Sequence, residues 1–342
     1  MTDSELLLLW SDTAPAKPLP RPPEKPLPRL VTAGQFFALD TGERFTAIEC
    51  SDFQLLQRYL HGADLRPVLA QRRDCGYNIV RVLGMCAGMF WLKPQEEPKY
   101  WSGVRDLCAL CATYGVYVEL TVFADATVIM PLPGMQLQHW EMVGRTLYGG
   151  PSLLVEAVNE ADQTINRLAS LMDLEPLPGL LCSHGSNGSE QLPVRPWWDY
   201  ETFHTNGAYQ WPRKVGHNAA ELSWGAETVP ASNVPVVANE NTRYPDRSQS
   251  LTNAYDAAAG AALLCAGSCF HSVHGKTSEL WVGLELDAAK AWAAGARSVP
   301  LHCQSGHYRH RDDLEQQNAG QTGERVYQRG VNEACIVRVG PS

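Results

Sequence analysis

Two apolar segments of the sequence end in an Asn-Glu pair, a position from which carboxylates can take part in acid–base and nucleophilic chemistry. Leu153–Val158 is followed by Asn159-Glu160, and an apolar segment further along the chain ends on Asn239-Glu240. Short apolar runs of this kind are typical of buried strands, so we expect each glutamate at the C-terminal end of a strand. One carboxylate that attacks and one that donates a proton can together cleave a glycosidic bond.

A third Asn-Glu pair shows that the dipeptide alone carries little information. Asn332-Glu333 lies between Glu324–Arg329 and Ala334–Val339, which predict a terminal β-hairpin, and a turn explains the pair fully. The other two pairs differ because each closes an apolar strand. Whether their glutamates can act together depends on the elements that carry them.

Predicted strands and helices alternate through the middle of the chain. The strand-like segments are Arg44–Ile48, Gly76–Leu83, Val116–Phe123, Leu153–Val158, Gly179–Ser183, Tyr200–Thr205, Val234–Ala238 and Gly267–His271. The helical segments are Phe53–Leu60, Leu65–Arg73, Trp101–Tyr114, Met135–Leu147, Thr164–Met172, Leu251–Ala266 and Leu286–Ala296. Alternation of this kind predicts an α/β fold, a (β/α)8 TIM barrel, with a doubly wound open sheet as the alternative. In a barrel, the ends of the fourth and seventh strands meet at the same mouth.

The segments outside the barrel have a different composition. Prolines are frequent between residues 13 and 29, which predicts an extended arm over residues 1–33, either a spacer or a segment that docks on a protein partner. Asp40–Glu43 separates two apolar segments, a hairpin pattern at the start of the predicted barrel domain, 34–300. We expect residues 301–342 to form a C-terminal β-hairpin packed on the barrel.

Composition and charge exclude several classes of function. A hydrophobic content of 44% and ten tryptophans provide for a large core. The net charge of −9 is unlike the basic surface that nucleic-acid binding requires. No apolar run reaches the roughly 18 residues of a membrane span, and the acidic start, with Asp3 and Glu5, is unlike a secretory signal. We therefore expect a protein that is cytoplasmic when made, without nucleic-acid or membrane partners.

Cofactors and metal ions are not predicted. No G-x-G-x-x-G or Walker motif follows a strand. His271 and His274 could suggest a metal, but metal-dependent hydrolase barrels place an H-x-H on the first strand, where this chain has Ile48-Glu49-Cys50. Cys108 and Cys111 lack a second pair at zinc-site spacing, and we interpret them as buried small residues.

The motifs resemble those of clan A retaining glycoside hydrolases, the cellulase- and mannanase-like (β/α)8 enzymes. In that family the acid/base glutamate follows an asparagine at the end of the fourth strand, and the nucleophile ends the seventh. Val155–Glu160 resembles the first motif and Val236–Glu240 the second. Gly76–Arg81 is similar to the family's second strand, whose arginine supports the nucleophile, and Gly115–Leu120 resembles its third. The resemblance covers roughly residues 36–281.

The resemblance implies a metal-free retaining β-glycoside hydrolase that acts on an oligo- or polysaccharide. Glu240 would be the nucleophile, kept ionised by Arg81, and Glu160 would be the acid/base. Asn159 would bind the sugar 2-hydroxyl, and His204 lies where the sixth strand of the family often supplies a histidine.

Aromatic residues near the predicted mouth could stack on sugar rings. Tyr209 and Trp211 follow the sixth strand, and Trp281 follows the eighth. The eighth strand lacks the tryptophan that usually forms a sugar platform in the family, so Trp281 is the expected substitute.

These assignments have structural alternatives. The two glutamates could be surface residues or helix N-caps, Arg81 could form a buried ion pair with Glu119 or Glu156, and His204 could be an ordinary core residue. The alternative for the whole protein is a carbohydrate-binding or structural barrel with little or no catalysis. A virus particle could carry such a barrel through the Pro-rich arm, which would explain the absent export signal.

Overall fold

The described residues form a (β/α)8 barrel with an antiparallel sheet at one end. In this computed structural model the described residues are 27–150, 153–160, 173–185, 198–204, 234–240, 254–255, 258–259, 261–262, 265–299, 309–310, 324–329 and 333–338. Most of the Pro-rich segment, the predicted helix Thr164–Met172, and both Tyr209 and Trp211 lie outside these residues.

Eight described strands make the barrel, and their order around it follows the chain. They are Ala47–Ser51, Ile79–Leu83, Tyr117–Phe123, Leu153–Val158, Leu181–Gly185, Glu201–His204, Val236–Glu240 and Gly267–Phe270. Sequence neighbours pair in parallel, and the eighth strand pairs with the first. A parallel bridge between Ser183 and Tyr200 joins the fifth strand to the sixth and closes the sheet. The predicted TIM barrel is therefore confirmed over the open sheet.

Described helices follow the first, second, third and eighth barrel strands, as the alternation predicted. The described ones are Leu55–Leu60, Arg66–Cys75, Tyr100–Thr113, Ala126–Ile129, Pro133–Leu147, Val273–Thr277 and Gly283–Ser298, with a 3-10 turn at Pro94–Glu96. Tyr100–Thr113 turns Val104, Leu107, Cys108 and Cys111 toward the core at helical spacing. Burial raises the pKa of the Cys108 thiol to about 12, which makes it unreactive. No described helix is long and apolar enough to span a bilayer.

A small antiparallel sheet closes the amino end of the barrel. It consists of Leu30–Ala33, Phe36–Leu39 and Arg44–Phe45. The predicted hairpin is confirmed, but Arg44–Phe45 belongs to this sheet, and the first barrel strand begins only at Ala47. Leu30–Ala33 also lies inside the range predicted as an arm. Its pairing with Phe36–Leu39 makes these residues part of the folded structure.

The predicted C-terminal hairpin is present. Glu324–Arg329 pairs with Glu333–Arg338 in antiparallel fashion, and Arg309–His310 adds a third strand. Glu333 of the third Asn-Glu pair begins the second strand of this hairpin, opposite Arg329, and Asn332 lies outside the described residues. The side-chain contacts that would test its packing on the barrel lie outside the described residues.

Candidate active site

The ends of three barrel strands bring Glu160, His204 and Glu240 together. One ligand atom of each side chain lies within 4.8 Å of the others. His204 Nδ1 is 3.2 Å from Glu160 Oε1 and 3.6 Å from Glu240 Oε2. The three residues come from the fourth, sixth and seventh strands, so closure of the barrel is what makes them neighbours.

A register shift in the seventh strand lets two consecutive residues reach the barrel interior. The pairing with the sixth strand shifts between Ala238 and Glu240. In a regular strand, successive side chains point to opposite faces, and a bulge removes that constraint. Asn239 Nδ2 thus donates to Glu156 at 2.8 Å, while Glu240 Oε1 accepts from Arg81 at 2.7 Å.

Glu160 reaches the site through an unusual backbone conformation. It follows the fourth strand by two residues and has a φ of 46°, in the left-handed region that residues other than glycine rarely adopt. The preceding Asn159 is fixed at both its backbone and its side chain. Its N–H donates to Phe123 O at 2.9 Å, and its Oδ1 accepts from Arg81 Nη2 at 2.8 Å. Such outliers persist where the surroundings hold them, often at functional sites.

Arg81 is fully buried and connects the two Asn-Glu segments. Besides its bonds to Glu240 and Asn159, it donates from Nη2 and Nε to Glu156 Oε2, at 2.6 and 3.0 Å. The predicted contact with Glu240 and the alternative ion pair with Glu156 are therefore both present. A guanidinium offers enough donors for both partners, and removing either would leave buried charge uncompensated.

Glu156 accepts hydrogen bonds from three strands besides the arginine. Thr121 Oγ1 donates at 2.6 Å, Thr202 Oγ1 at 2.7 Å and Asn239 Nδ2 at 2.8 Å. Burial would raise the pKa of this carboxyl, but Arg81 and the hydroxyl donors hold it below its ordinary value. Sequence reasoning did not assign the two threonines, although each lies two residues along its strand from another inward-facing polar residue.

The surroundings of Glu240 keep it ionised. Burial favours its neutral form, yet its interactions with His204, His271 and Arg81 hold the pKa of Glu240 well below its usual range. Its side chain is 13% exposed, whereas that of Arg81 is not exposed at all. The site therefore presents a charged carboxylate toward the open end of the barrel.

A second group of buried acids lies nearer the amino end. Tyr200 OH donates to Glu119 Oε1 at 2.7 Å, and Glu49 lies in the first strand opposite Ile79, two residues before Arg81 in the second. Burial and the negative charge of Glu119 raise the pKa of Glu49 well above its ordinary value. Its surroundings thus favour the neutral form of Glu49.

The prediction that Trp281 forms a sugar platform is wrong. The side chain is 1% exposed, and its ring centroid lies 3.5 Å from Arg72 Cζ. The indole also makes edge contacts with Tyr77 and Phe270, and Nε1 donates to Ser272 Oγ at 3.1 Å. The segment after the eighth strand turns this ring into the core, where no sugar can reach it.

Glu160, His204 and Glu240 offer donor atoms of the kind that bind divalent metals such as zinc. The position of Arg81 disfavours this use. Its Nη1 already binds Glu240 Oε1 at 2.7 Å, and a metal cation would have to share that carboxylate with a guanidinium. The arrangement suits the chemistry of the carboxylates themselves better.

Solved structures with this fold include several glycoside hydrolases. A glycoside hydrolase family 5 protein from Bacteroides vulgatus superposes with a TM-score of 0.56 at 13% identity, covering 87% of this chain and 77% of that one. A β-1,4-mannanase from Aplysia kurodai gives 0.53 at 13% identity, covering 81% and 99%. An endoglucanase catalytic domain from Thermobifida fusca, in complex with cellotetraose, gives 0.51 at 14% identity, covering 78% and 96%.

The fold is shared with these hydrolases. At such low identities the likeness concerns the fold, and it confirms the barrel that the motif resemblance implied. No family model and no curated protein matches the sequence.

Proposed function

We propose that the chain is a retaining β-glycoside hydrolase that cleaves an oligo- or polysaccharide with two glutamates. Glu240 is the nucleophile and Glu160 the acid/base. The observation that carries the proposal is their convergence on His204, with atoms of all three within 4.8 Å of one another. Retaining enzymes have carboxyl groups about 5–5.5 Å apart, whereas inverting enzymes need about 6.5–9.5 Å to admit a water molecule.

In the first step Glu240 forms a covalent bond to the sugar. One of its carboxylate oxygens attacks the anomeric carbon, the bond to the glycosidic oxygen breaks, and that oxygen takes the proton of Glu160. The ionised state of Glu240 supports its role as nucleophile. The 2.7 Å bond from Arg81 to Oε1 also orients the carboxylate before the attack.

In the second step water releases the sugar. Glu160, now ionised, takes a proton from a water molecule, whose oxygen attacks the anomeric carbon as the bond to Glu240 breaks. Two inversions restore the original configuration. His204, 3.2 Å from Glu160 Oε1, can hold that carboxyl in place through both steps.

Asn159 is oriented to bind a sugar hydroxyl. Because Oδ1 accepts from Arg81 at 2.8 Å, the amide NH2 points away from the guanidinium. This group can donate to the 2-hydroxyl of the ring at the cleavage site, an interaction that strengthens in the transition state. Asn159 is only 8% exposed, as a residue that meets substrate at the bottom of a cleft would be.

Azide rescue of two alanine variants tests the roles. With an aryl β-glycoside, Glu240→Ala should lose turnover and regain it with azide, which enters where the carboxylate stood and gives the α-glycosyl azide. Glu160→Ala should lose about 10²–10⁴-fold in kcat and give the β-glycosyl azide, because azide then attacks the covalent intermediate. NMR of the products distinguishes the two anomers, and Glu141→Ala, an exposed helix position, is the matched control.

The same anomer from both variants would contradict the assigned roles. The assay panel should include mannans and glucans, because the similar structures include β-1,4-mannanases and an endoglucanase bound to cellotetraose. Binding of these polymers without turnover by the wild type would favour the non-catalytic carbohydrate-binding barrel instead.

A further inference from the structure

Trp91 alone among the tryptophans of the described residues is exposed, with 51% of its surface accessible; the others are half-buried or buried. It lies between the second strand, which ends at Leu83, and the helix Tyr100–Thr113. Segments that follow barrel strands border the mouth where active sites lie. Burying an indole is energetically favourable, so an indole that stays exposed at this mouth indicates a surface that contacts a ligand.

The exposed indole is held in place. Nε1 donates to Glu96 Oε2 at 3.2 Å, and Lys93 Nζ lies 4.2 Å from the ring centroid, over one face. The backbone carbonyl of Trp91 accepts from Gln57 Nε2 at 2.5 Å. The segment is fixed further by Asp125, whose Oδ2 accepts two backbone amides at 2.7 Å. The ring is thus oriented before any ligand arrives, and about half of the residue's surface is open to solvent.

A short chain of contacts connects this segment to the candidate active site. Phe90, next to Trp91, packs against a cluster that contains Phe53. The Phe53 ring lies 5.3 Å from Arg81 Cζ and 5.3 Å from the His271 ring. Arg81 in turn binds Glu240. Trp91 and the carboxylates therefore lie at the same end of the barrel.

We propose that Trp91 is a platform on which a sugar ring of the substrate chain stacks, at a distance from the bond that is cleaved. The inference rests on the proposed function. A flat aromatic face complements the C–H groups on the face of a β-linked pyranose, and the charged ends of Lys93 and Glu96 are placed to bind its hydroxyls. Trp281, where a platform was expected, is buried and cannot serve.

The test compares a long and a short substrate. The full-length protein and its Trp91→Ala and Trp91→Phe variants are assayed with cellohexaose, mannohexaose and the corresponding aryl β-monosaccharides. Trp91→Ala should raise KM for the hydrolysed hexasaccharide about tenfold and leave the aryl glycoside within about twofold, with Trp91→Phe in between. Tyr148→Ala is the matched control, because Tyr148 is a 70% exposed aromatic residue after the helix Pro133–Leu147.

An unchanged KM for the hexasaccharide, or an equal loss on both substrates, would overturn the platform. If the wild type hydrolyses no glycoside, the proposed function fails, and calorimetry with the same hexasaccharides then tests the platform by itself. Binding that weakens about tenfold in Trp91→Ala supports it. Absence of binding, or equal binding by the wild type and the variant, overturns it.

Discussion

The amino end of the barrel is packed with apolar side chains up to the buried acids Glu49 and Glu119, whereas the carboxyl end carries a cluster of charges around Arg81. At the amino end, Leu30 and Phe37 of the small sheet pack on Ile79, Tyr117 and other residues at the beginnings of the barrel strands. At the carboxyl end, Arg81 is surrounded by carboxylates and amides. One end of the sheet is therefore held by apolar packing, and the other by ion pairs and hydrogen bonds.

The difference follows from the cost of burying each kind of group. Apolar contacts at the amino end stabilise in proportion to the area removed from water and need no particular geometry. Charges at the carboxyl end lose hydration, and only well-placed partners offset that loss. We therefore expect substitutions at the amino end to change stability alone, and those at the carboxyl end to change stability and activity together.

The largest combined effect should come from Arg81→Met. Loss of the guanidinium leaves Glu156 and Glu240 without their buried partner, and breaking a buried pair in this way costs about 3–5 kcal/mol of unfolding free energy. Glycosidase activity should fall as well, because Glu240, the proposed nucleophile, loses the bond that orients it. Urea unfolding and kcat/KM on an aryl β-glycoside measure the two losses, and Arg81→Lys should recover part of each. If the Arg81→Met protein had the stability of the wild type, Arg81 would not be needed to offset the buried charges of Glu156 and Glu240.

Phe37→Ala should lower the free energy of unfolding by a similar amount but leave kcat unchanged. Phe37 is 0% exposed, and truncation of a buried phenylalanine costs about 3–5 kcal/mol because it leaves a cavity. At temperatures where the variant stays folded, its kcat should equal that of the wild type. A fall in kcat that persists in the folded variant would show that the two ends are coupled, and the distinction between them would fail.

Glu49→Gln should have the smallest effect near pH 5, and one that grows with pH. Glu49 keeps its proton in the folded state because burial raises its pKa well above the unfolded value. The stabilisation of the folded protein by protonated Glu49 is fully present below the pKa of Glu49 in the unfolded chain. It is lost as the pH rises through the pKa of Glu49 in the folded protein. Between pH 5 and pH 8 the variant cannot ionise, so its free energy of unfolding relative to the wild type should improve by about 1.4 kcal/mol for each pH unit over which folded Glu49 keeps its proton.

Thermal unfolding of both proteins across that range measures this improvement. Glu141→Gln, at an exposed helix position, supplies the baseline. If the difference in stability between Glu49→Gln and the wild type stayed constant from pH 5 to pH 8, Glu49 would be ionised in the folded protein.

The sequence predicted the fold and the pair of glutamates because both depend on local patterns. Alternating strands and helices leave few ways to pair, and an apolar strand that ends on a glutamate is visible in the residues themselves. The prediction for Trp281 was wrong because the direction of a side chain in a connecting segment depends on the surfaces around it, here Arg72 and Tyr77.

By itself, the sequence determined which strands carry Glu160 and Glu240, since their order along the chain becomes their order around the barrel. The tertiary structure alone decided which groups surround the glutamates. The register shift before Glu240 turns both it and Asn239 inward, and Arg81 shares its donors between Glu240 and Glu156. These features depend on distances between strands far apart in the chain, and no periodicity within a single strand contains that information.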